Sequence, residues 1–268
     1  MLFRKTAYLF ITFTIFLAAA DASIIGGLTH QKKAGPGEKY TGSILIKNEH
    51  KKTEEIKFYQ TDYTFNYKGV NNYGQPGKLK RSNAQWITFT PHKLTIPPGE
   101  TAKLHYTVNV PDDPNLNGTY WSMLMAENIP HGTPESTISK KGETQLGVVQ
   151  VIRYGLQMVT HINDTGTRKI DFLDTKLLKD SSKRVLQVDI ENVGQYWLRP
   201  NLWTELYDES GSYLGRFEAG KRRIFPETSV RYKIDLTKLP EGNYKALVVA
   251  DAGGDYIFGA NYNFKFKK

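Results

Sequence analysis

Two segments of this chain carry the same string of β-forming signals in the same order. The first runs Pro98-Gly99-Glu100-Thr101, then alternating apolar positions at Ala102, Leu104, Tyr106, Val108 and Val110, then Pro111, then Gly118-Thr119-Tyr120. The second runs Pro226-Glu227-Thr228, then Val230, Tyr232, Ile234 and Leu236, then Pro240, then Gly242-Asn243-Tyr244. A period of two gives each strand one apolar face, and the Pro- and Gly-bearing steps mark the turns on either side. A module repeated about 125 residues further on predicts two similar sandwiches in tandem. The same pattern predicts no helix longer than about three turns after residue 23. A tandem of this kind suits a binding or assembly scaffold better than an enzyme, although a fold alone never fixes a function.

The start of the chain bears on its compartment. Arg4 and Lys5 precede an apolar run from Ala7 to Ala20, and Ala20-Asp21-Ala22 supplies small residues for a cut. A positive start, a short apolar centre and a small-residue end read as a secretory signal over residues 1–22, cleaved after Ala22 or, alternatively, after Ala20. The run is shorter than the ~20 apolar residues that span a bilayer, so no stable membrane insertion is expected. The mature chain is read as bacterial, secreted across the inner membrane, and periplasmic or on the cell surface. The chain has no Cys. That excludes a disulfide framework, a thiolate metal site and a cysteine nucleophile, so each domain must rest on its apolar core.

The expected fold class is all-β, with two tandem immunoglobulin-like β-sandwich domains after an N-terminal signal peptide. The first sandwich is read over residues 23–160. A linker over 161–168 contains Asn163-Asp164-Thr165-Gly166-Thr167, and the second sandwich spans 169–268. Residues 66–85 are polar and Gly-bearing, and read as an insertion or a hairpin with little core of its own. In the second sandwich, strands are expected over 169–178, 184–192, 198–207, 212–217, 229–236, 244–251 and 256–266. Its core is expected to rest on Val188, Ile190, Leu202, Trp203, Leu206, Tyr232, Ile234, Leu247 and Val249. Trp86, Trp121 and Trp203 lie within apolar strands and read as core, Trp121 in the first sandwich because Tyr120 to Met125 is apolar on both faces. Trp197, beside Tyr196 and Arg199 in a turn, reads as the exposed tryptophan. Tyr196 and Trp197 are therefore the candidates for stacking on a sugar ring.

Enzyme chemistry finds little support. The six histidines, at 30, 50, 92, 105, 131 and 161, form no ligand pair, so no metal site is expected. Asp112-Asp113 and Asp208-Glu209 lie in turns, where acids bond to local backbone. Gly26-Gly27 and Gly253-Gly254 do not precede helices and so are not phosphate loops. No catalytic residue and no cofactor are expected. The net charge of +9 is spread over small clusters such as Lys78-Leu79-Lys80-Arg81 and Lys221-Arg222-Arg223, without a basic-aromatic groove motif, so nucleic acid is not an expected partner.

The stretch Leu146 to Val159 reads as one long β-strand. Leu146, Val148, Gln150 and Ile152 share one face, and Val149 and Val151 the other. Such a strand is either the buried connection between the domains or an open edge. An open edge offers unpaired N–H and C=O groups to an extended partner. On the second reading the partner-binding residues are Lys140, Lys141, Leu146, Val148, Gln150 and Ile152, with the two lysines at the entrance.

Several of these features together carry a family resemblance. They are Pro36-Gly37 entering a strand that ends in Ile46-Lys47-Asn48, Trp86-Ile87 before Pro91, and Leu94-x-Ile96-Pro97-Pro98-Gly99 before an alternating strand. The Tyr120 strand, a polar loop and a long final β-strand complete the set. This resembles the periplasmic pilus-assembly chaperone (PapD-like) fold, and is similar also to the two-domain WxL-interacting surface proteins. The resemblance covers most of residues 24–160 and extends to the second sandwich only generically. It implies an exported protein subunit or adhesin as partner, its C-terminal carboxylate held by a cationic pair. Lys32 or Lys33 and Lys140 or Lys141 stand in roughly those places. The function expected is thus a non-enzymatic cell-envelope protein, a chaperone-like or assembly factor for pili, fimbriae or surface proteins. The alternative is a surface module that binds cell-wall or matrix polysaccharide.

Overall fold

The computed structural model describes residues 22–138, 151–180 and 183–266. In the first half, the strands are β1 (Ser23–Ile25), β2 (Thr29–Ala34), β3 (Lys39–Lys47), β4 (Glu54–Phe65) and β5 (Asn71–Gly74). They continue with β6 (Ile87–Thr90), β7 (Lys93–Ile96), β8 (Thr101–Asn109), β9 (Gly118–Asn128) and β10 (Arg153–Ile162). One sheet has the order β1-β3-β8-β6. The other has the order β2-β10-β9-β4-β5, with β7 also on β4. The alternation read in Ala102–Val110 is borne out: Leu104 and Val108 turn inward to meet Ile44, Ile46, Leu124 and Leu156 in one core. The polar stretch after residue 65 is a hairpin onto β5. The loop that follows is gathered round the buried carboxylate of Asp62, which accepts the backbone N–H groups of Gly77, Lys78 and Leu79.

The second half comprises β11 (Ile170–Asp180), β12 (Lys183–Asn192), β13 (Asn201–Asp208), β14 (Tyr213–Lys221), β15 (Ser229–Asp235), β16 (Gly242–Asp251) and β17 (Ile257–Phe266). These seven strands form sheets of order β11-β12-β15 and β14-β13-β16-β17. The chain is thus all-β with two immunoglobulin-like sandwiches. Leu186, Val188, Ile190, Leu202, Leu206, Tyr232 and Ile234 make the second core together with Tyr244, Ala246, Val248 and Ala250. Here one expectation is corrected. Trp203 and Val249 are buried, but they and Leu247 lie outside that cluster. Trp203 pairs with Val249, and Glu205 with Leu247, on the opposite face of the sheet. Arg216 covers the Trp203 ring, 3.6 Å above its centroid.

The repeated module is one structural device used twice. Buried Asn48, at the end of β3, donates its side-chain amide to Ile96 O (2.8 Å). Its backbone exchanges hydrogen bonds with Gly99 and Glu100 of the turn before β8. Buried Asn192, at the end of β12, donates to Tyr196 O (2.8 Å) and Ile224 O (3.1 Å), and its backbone exchanges bonds with Glu227 and Thr228 before β15. In each half an asparagine locks a strand end to the turn that opens its partner strand, because its amide can satisfy several buried backbone groups at once.

Candidate functional site: an open strand edge beside the cleft

The pairing of β10 changes along its length. From Arg153 to Ile162 it pairs antiparallel with β9, register Arg153↔Glu127 to Ile162↔Gly118. On its other side β2 runs parallel to it only from Gln157↔Thr29 to Ile162↔Ala34. Among the described residues, Arg153 to Leu156 therefore have a neighbouring strand on one side only. The cause lies at the start of the chain, where β1 belongs to the opposite sheet, on β3. The backbone crosses over through Gly26-Gly27-Leu28, and Leu28 O accepts Gln157 N (2.8 Å) as the first contact with β10. Below that point the seam between β1 and β10 is unclosed. It is lined by Ala22, Ile24, Ile46, Ile152 and Tyr154, and by Asn128, whose buried Oδ1 has no hydrogen-bond partner among the described residues.

Two carboxylates organise the approach to this edge. Glu127, opposite Arg153, accepts Arg153 Nε (2.6 Å), Tyr59 OH (2.8 Å) and Lys57 Nζ (3.3 Å). Burial alone would raise its pKa, but those donors bring it below the ordinary value. Glu55 is fully buried, and receives Lys93 Nζ (2.7 Å), Thr137 N (3.0 Å) and the hydroxyls of Ser136 and Thr137. Burial opposes its charge as well, yet these partners hold its pKa at about 2. The segment that leaves β9 is thereby fastened to β4 and β7 just before residue 139.

Beside the open edge lies the cleft between the two halves. A cavity of about 430 Å³ is lined by Tyr63, Phe65, Tyr67, Gln157, Arg223 and Phe225, among others. Arg223 Nη1 donates to Thr29 Oγ1 (2.7 Å) and Gln157 Oε1 (2.5 Å), and its guanidinium lies 4.4 Å from the centroid of Trp197. Its Nε is buried without a partner among the described residues, and burial, with Arg199 nearby, lowers its pKa. The two halves approach closely at Gly118, whose φ of +70° and position leave no room for a side chain: a Cβ there would stand 2.1 Å from Gln195 O. At the same junction, His161 Nδ1 meets Thr119 Oγ1 at 2.9 Å. Burial, reinforced by the charges of Lys33, Arg168 and Arg223, lowers the His161 pKa to about 4.

The residues singled out from the sequence are distributed unevenly around this geometry. Ile152 lies half-buried at the seam, its carbonyl accepting Asn128 N (3.2 Å). Lys140, Lys141, Leu146, Val148 and Gln150 lie outside the described residues. Lys32 and Lys33 are exposed on β2, opposite Thr160 and His161, at the far end of β10 from Ile152, so these cations are not brought to the open edge. Tyr196 and Trp197 require a correction. Tyr196 is only 9% exposed, stacked on His161 (4.8 Å, 20°) with Arg168 4.1 Å from its centroid. Trp197 packs against His161, Phe225 and Arg223. Both rings are spent on the junction between the halves and do not form an exposed sugar platform. Arg223 was missed by sequence reasoning, which saw Lys221-Arg222-Arg223 only as surface charge. The buried run Ile224-Phe225-Pro226 directly after it was the available signal.

No protein-family model matches this chain, and no curated protein matches its sequence. Similar solved structures exist. A chain of the chaperone–tip adhesin complex of CFA/I fimbriae aligns at 12% identity over 91% of this chain and 98% of its own, with a TM-score of 0.48. The class 5 fimbriae chaperone CfaA aligns at 13% identity over 90% and 98%, TM-score 0.47. A chain of the CsuC–CsuE chaperone–tip adhesion subunit complex of Acinetobacter baumannii aligns at 12% identity over 89% and 97%, TM-score 0.44. Among the described residues no group of three or more His, Asp or Glu side chains is placed to hold a metal ion. No helix there is long and apolar enough to cross a membrane.

Proposed function

We propose that this chain is a non-enzymatic, exported assembly factor of the chaperone type, which holds an extended segment of a pilus, fimbria or surface-protein subunit by strand addition. The observation that carries the reading is the one-sided pairing of Arg153 to Leu156. Free backbone groups there are a template for another strand, and the apolar seam at Ile24, Ile152 and Tyr154 offers side-chain contacts beneath it. We further propose Leu146, Val148, Gln150 and Ile152 as partner contacts, with Lys140 and Lys141 as charge-assisted contacts to a partner's carboxylate. A partner whose carboxylate lay instead at the cleft end of β10 would meet Lys32, Lys33 and Arg223 there.

The reading is tested by co-purification from envelope extract with hydrogen exchange on the complex. The mature chain is expected to bring down an exported subunit and to gain backbone protection over 151–156 but not over 157–162, which β2 already covers. Val149→Pro removes a donor from the docking row and should abolish capture while the second sandwich stays folded. Capture with undiminished affinity by that variant, or protection elsewhere only, overturns the proposal.

A further inference from the structure

The second sandwich has an open edge of its own. In the first half the final strand β10 is partly covered because the chain start changes sheets and lays β2 beside it. In the second half the corresponding first strand, β11, pairs with β12 from Ile170 to Asp180 and approaches β17 without forming a ladder with it. Among the described residues β17 pairs only with β16. Ten residues of backbone, Ile257 to Phe266, thus present one unpaired side.

Edges of this kind normally carry features that discourage pairing, namely inserted charges, Pro, bulges or shortness. The other three edges of this sandwich have them. β14 contains Arg216 and Glu218 and breaks register twice against β13. β11 has a register break between Phe172 and Asp174 and charges at Asp171, Asp174, Lys176 and Lys179. β15 is short, with Arg231, Lys233 and Asp235. β17 keeps an unbroken register with β16, and from Ile257 to Phe264 it has no charge and no Pro. Of its inward row, Phe258, Tyr262 and Phe264 are only partly buried against the core, and Ala260 between them is half-buried.

We infer that β17 is a self-association edge, at which a second copy of this chain adds antiparallel to form a continuous eight-stranded sheet across a twofold axis. The sequence of the strand is complementary to itself in the register centred on Asn261. Each Tyr262 then faces the other copy's Ala260, a large ring over a small side chain, and each Phe264 faces a Phe258. The one charged residue of the strand, Lys265, faces Ile257 of the other copy and not another Lys265. Two copies of a chain with net charge +9 therefore meet along a segment that brings no like charges together. A foreign strand would need the same alternation and size pairing, which the second copy supplies by identity. This edge lies in the second sandwich, so it is separate from the strand-addition reading of β10.

Sedimentation velocity and hydrogen exchange on the mature chain, over a broad concentration range, test the inference. A concentration-dependent dimer is expected, with amide protection over 257–264 rising in step with it. Asn261→Lys/Asn263→Lys changes two exposed positions and lines up lysines across the twofold axis. It should weaken the dimer at least tenfold with unchanged circular dichroism and melting temperature. A chain that stays monomeric throughout overturns the inference. So does a dimer whose protection appears over 153–156 instead of β17, which would place self-association at the first sandwich, and so does a folded double variant that dimerises as tightly as the parent.

Discussion

The indole of Trp121 lies flat on the ring of Phe225, centroids 4.7 Å apart and planes 17° from parallel. The two residues come from different sandwiches, β9 of the first and the turn before β15 of the second. Trp121 was expected in the core of the first sandwich, and it is buried, but on the other face of its sheet. Together with Val159 it forms a small apolar cluster with Phe225, flanked by Phe65 and Trp197, which joins the two halves. Its Nε1 donates to Tyr63 O (2.8 Å), so the indole's one polar atom is satisfied inside the junction.

Trp121→Ala removes a large buried side chain and leaves Phe225 facing a void. The expected loss is about 3–5 kcal/mol in denaturant unfolding, with the backbone acceptor of Tyr63 also left unpaired. A double-mutant cycle with Phe225→Leu should show a coupling of about 1 kcal/mol, the part due to ring stacking beyond burial. Additive effects of the two changes would mean that the rings do not support one another.

His161 makes stability depend on pH in a defined window. Its pKa is lowered from 6.5 to about 4 in the folded chain, so the unfolded chain binds its proton more readily. Stability therefore rises with pH between about 4 and 6.5, and is lost as pH falls through that interval, up to roughly 3 kcal/mol in all. Thr119, Tyr196 and Trp197 surround the ring, so the loss should loosen the junction between the halves. His161→Gln should flatten the slope of melting temperature against pH across this window. A slope unchanged in that variant would assign it to other groups.

Glu55 contributes in a lower window. Its folded pKa of about 2 lies below the ordinary 4.5, so the stability it adds is present above 4.5 and disappears as pH falls towards 2. Glu55→Gln keeps the shape but removes the charge that Lys93, Ser136 and Thr137 address. A cost of about 1–3 kcal/mol is expected, with faster exchange of the Thr137 amide as the local sign. If the Thr137 amide exchanges at its former rate, the carboxylate is not what fastens residues 135–138.

Much of this architecture was legible because inward positions alternate cleanly. Val188 and Ile190 on β12, and Tyr232 and Ile234 on β15, announce their faces by period alone. Trp203, Leu247 and Val249 misled because β13 and β16 carry large apolar side chains on the outward face as well. The inward residues Ala246 and Ala250 are small, while the outward Leu247 and Val249 are large, so hydrophobicity points to the wrong parity. Trp121, Tyr196 and Trp197 were beyond local reading for a different reason. Their surroundings come from the other sandwich, and no short-range pattern records which sheet face a second domain will cover. The open edge is a missing neighbour, set by where the chain start crosses between sheets, and the apolar run at 146–159 fitted either an edge or a buried connection.

The repeated turn offers a final prediction from the comparison of its two copies. In Pro98-Gly99-Glu100 the second residue is glycine with φ +75°, and its N–H bonds to Asn48 O. In Pro226-Glu227-Thr228 the same position is Glu227, with φ +61°, and its N–H bonds to Asn192 O. The turn demands a left-handed residue in both sandwiches, but only the first supplies the residue that adopts it without strain. A non-glycine residue there costs roughly 1–2 kcal/mol. Replacing it with glycine gives back about 0.4–1 kcal/mol through the freer unfolded chain. The Glu227 side chain is exposed, so little packing is lost on its removal. Glu227→Gly should therefore stabilise the second sandwich by roughly 0.5 kcal/mol, whereas Glu227→Val, branched at Cβ, should destabilise it. Thermal unfolding of the two variants beside the parent provides the check. If glycine and valine shift the midpoint in the same direction, the left-handed conformation of Glu227 is not what limits this turn.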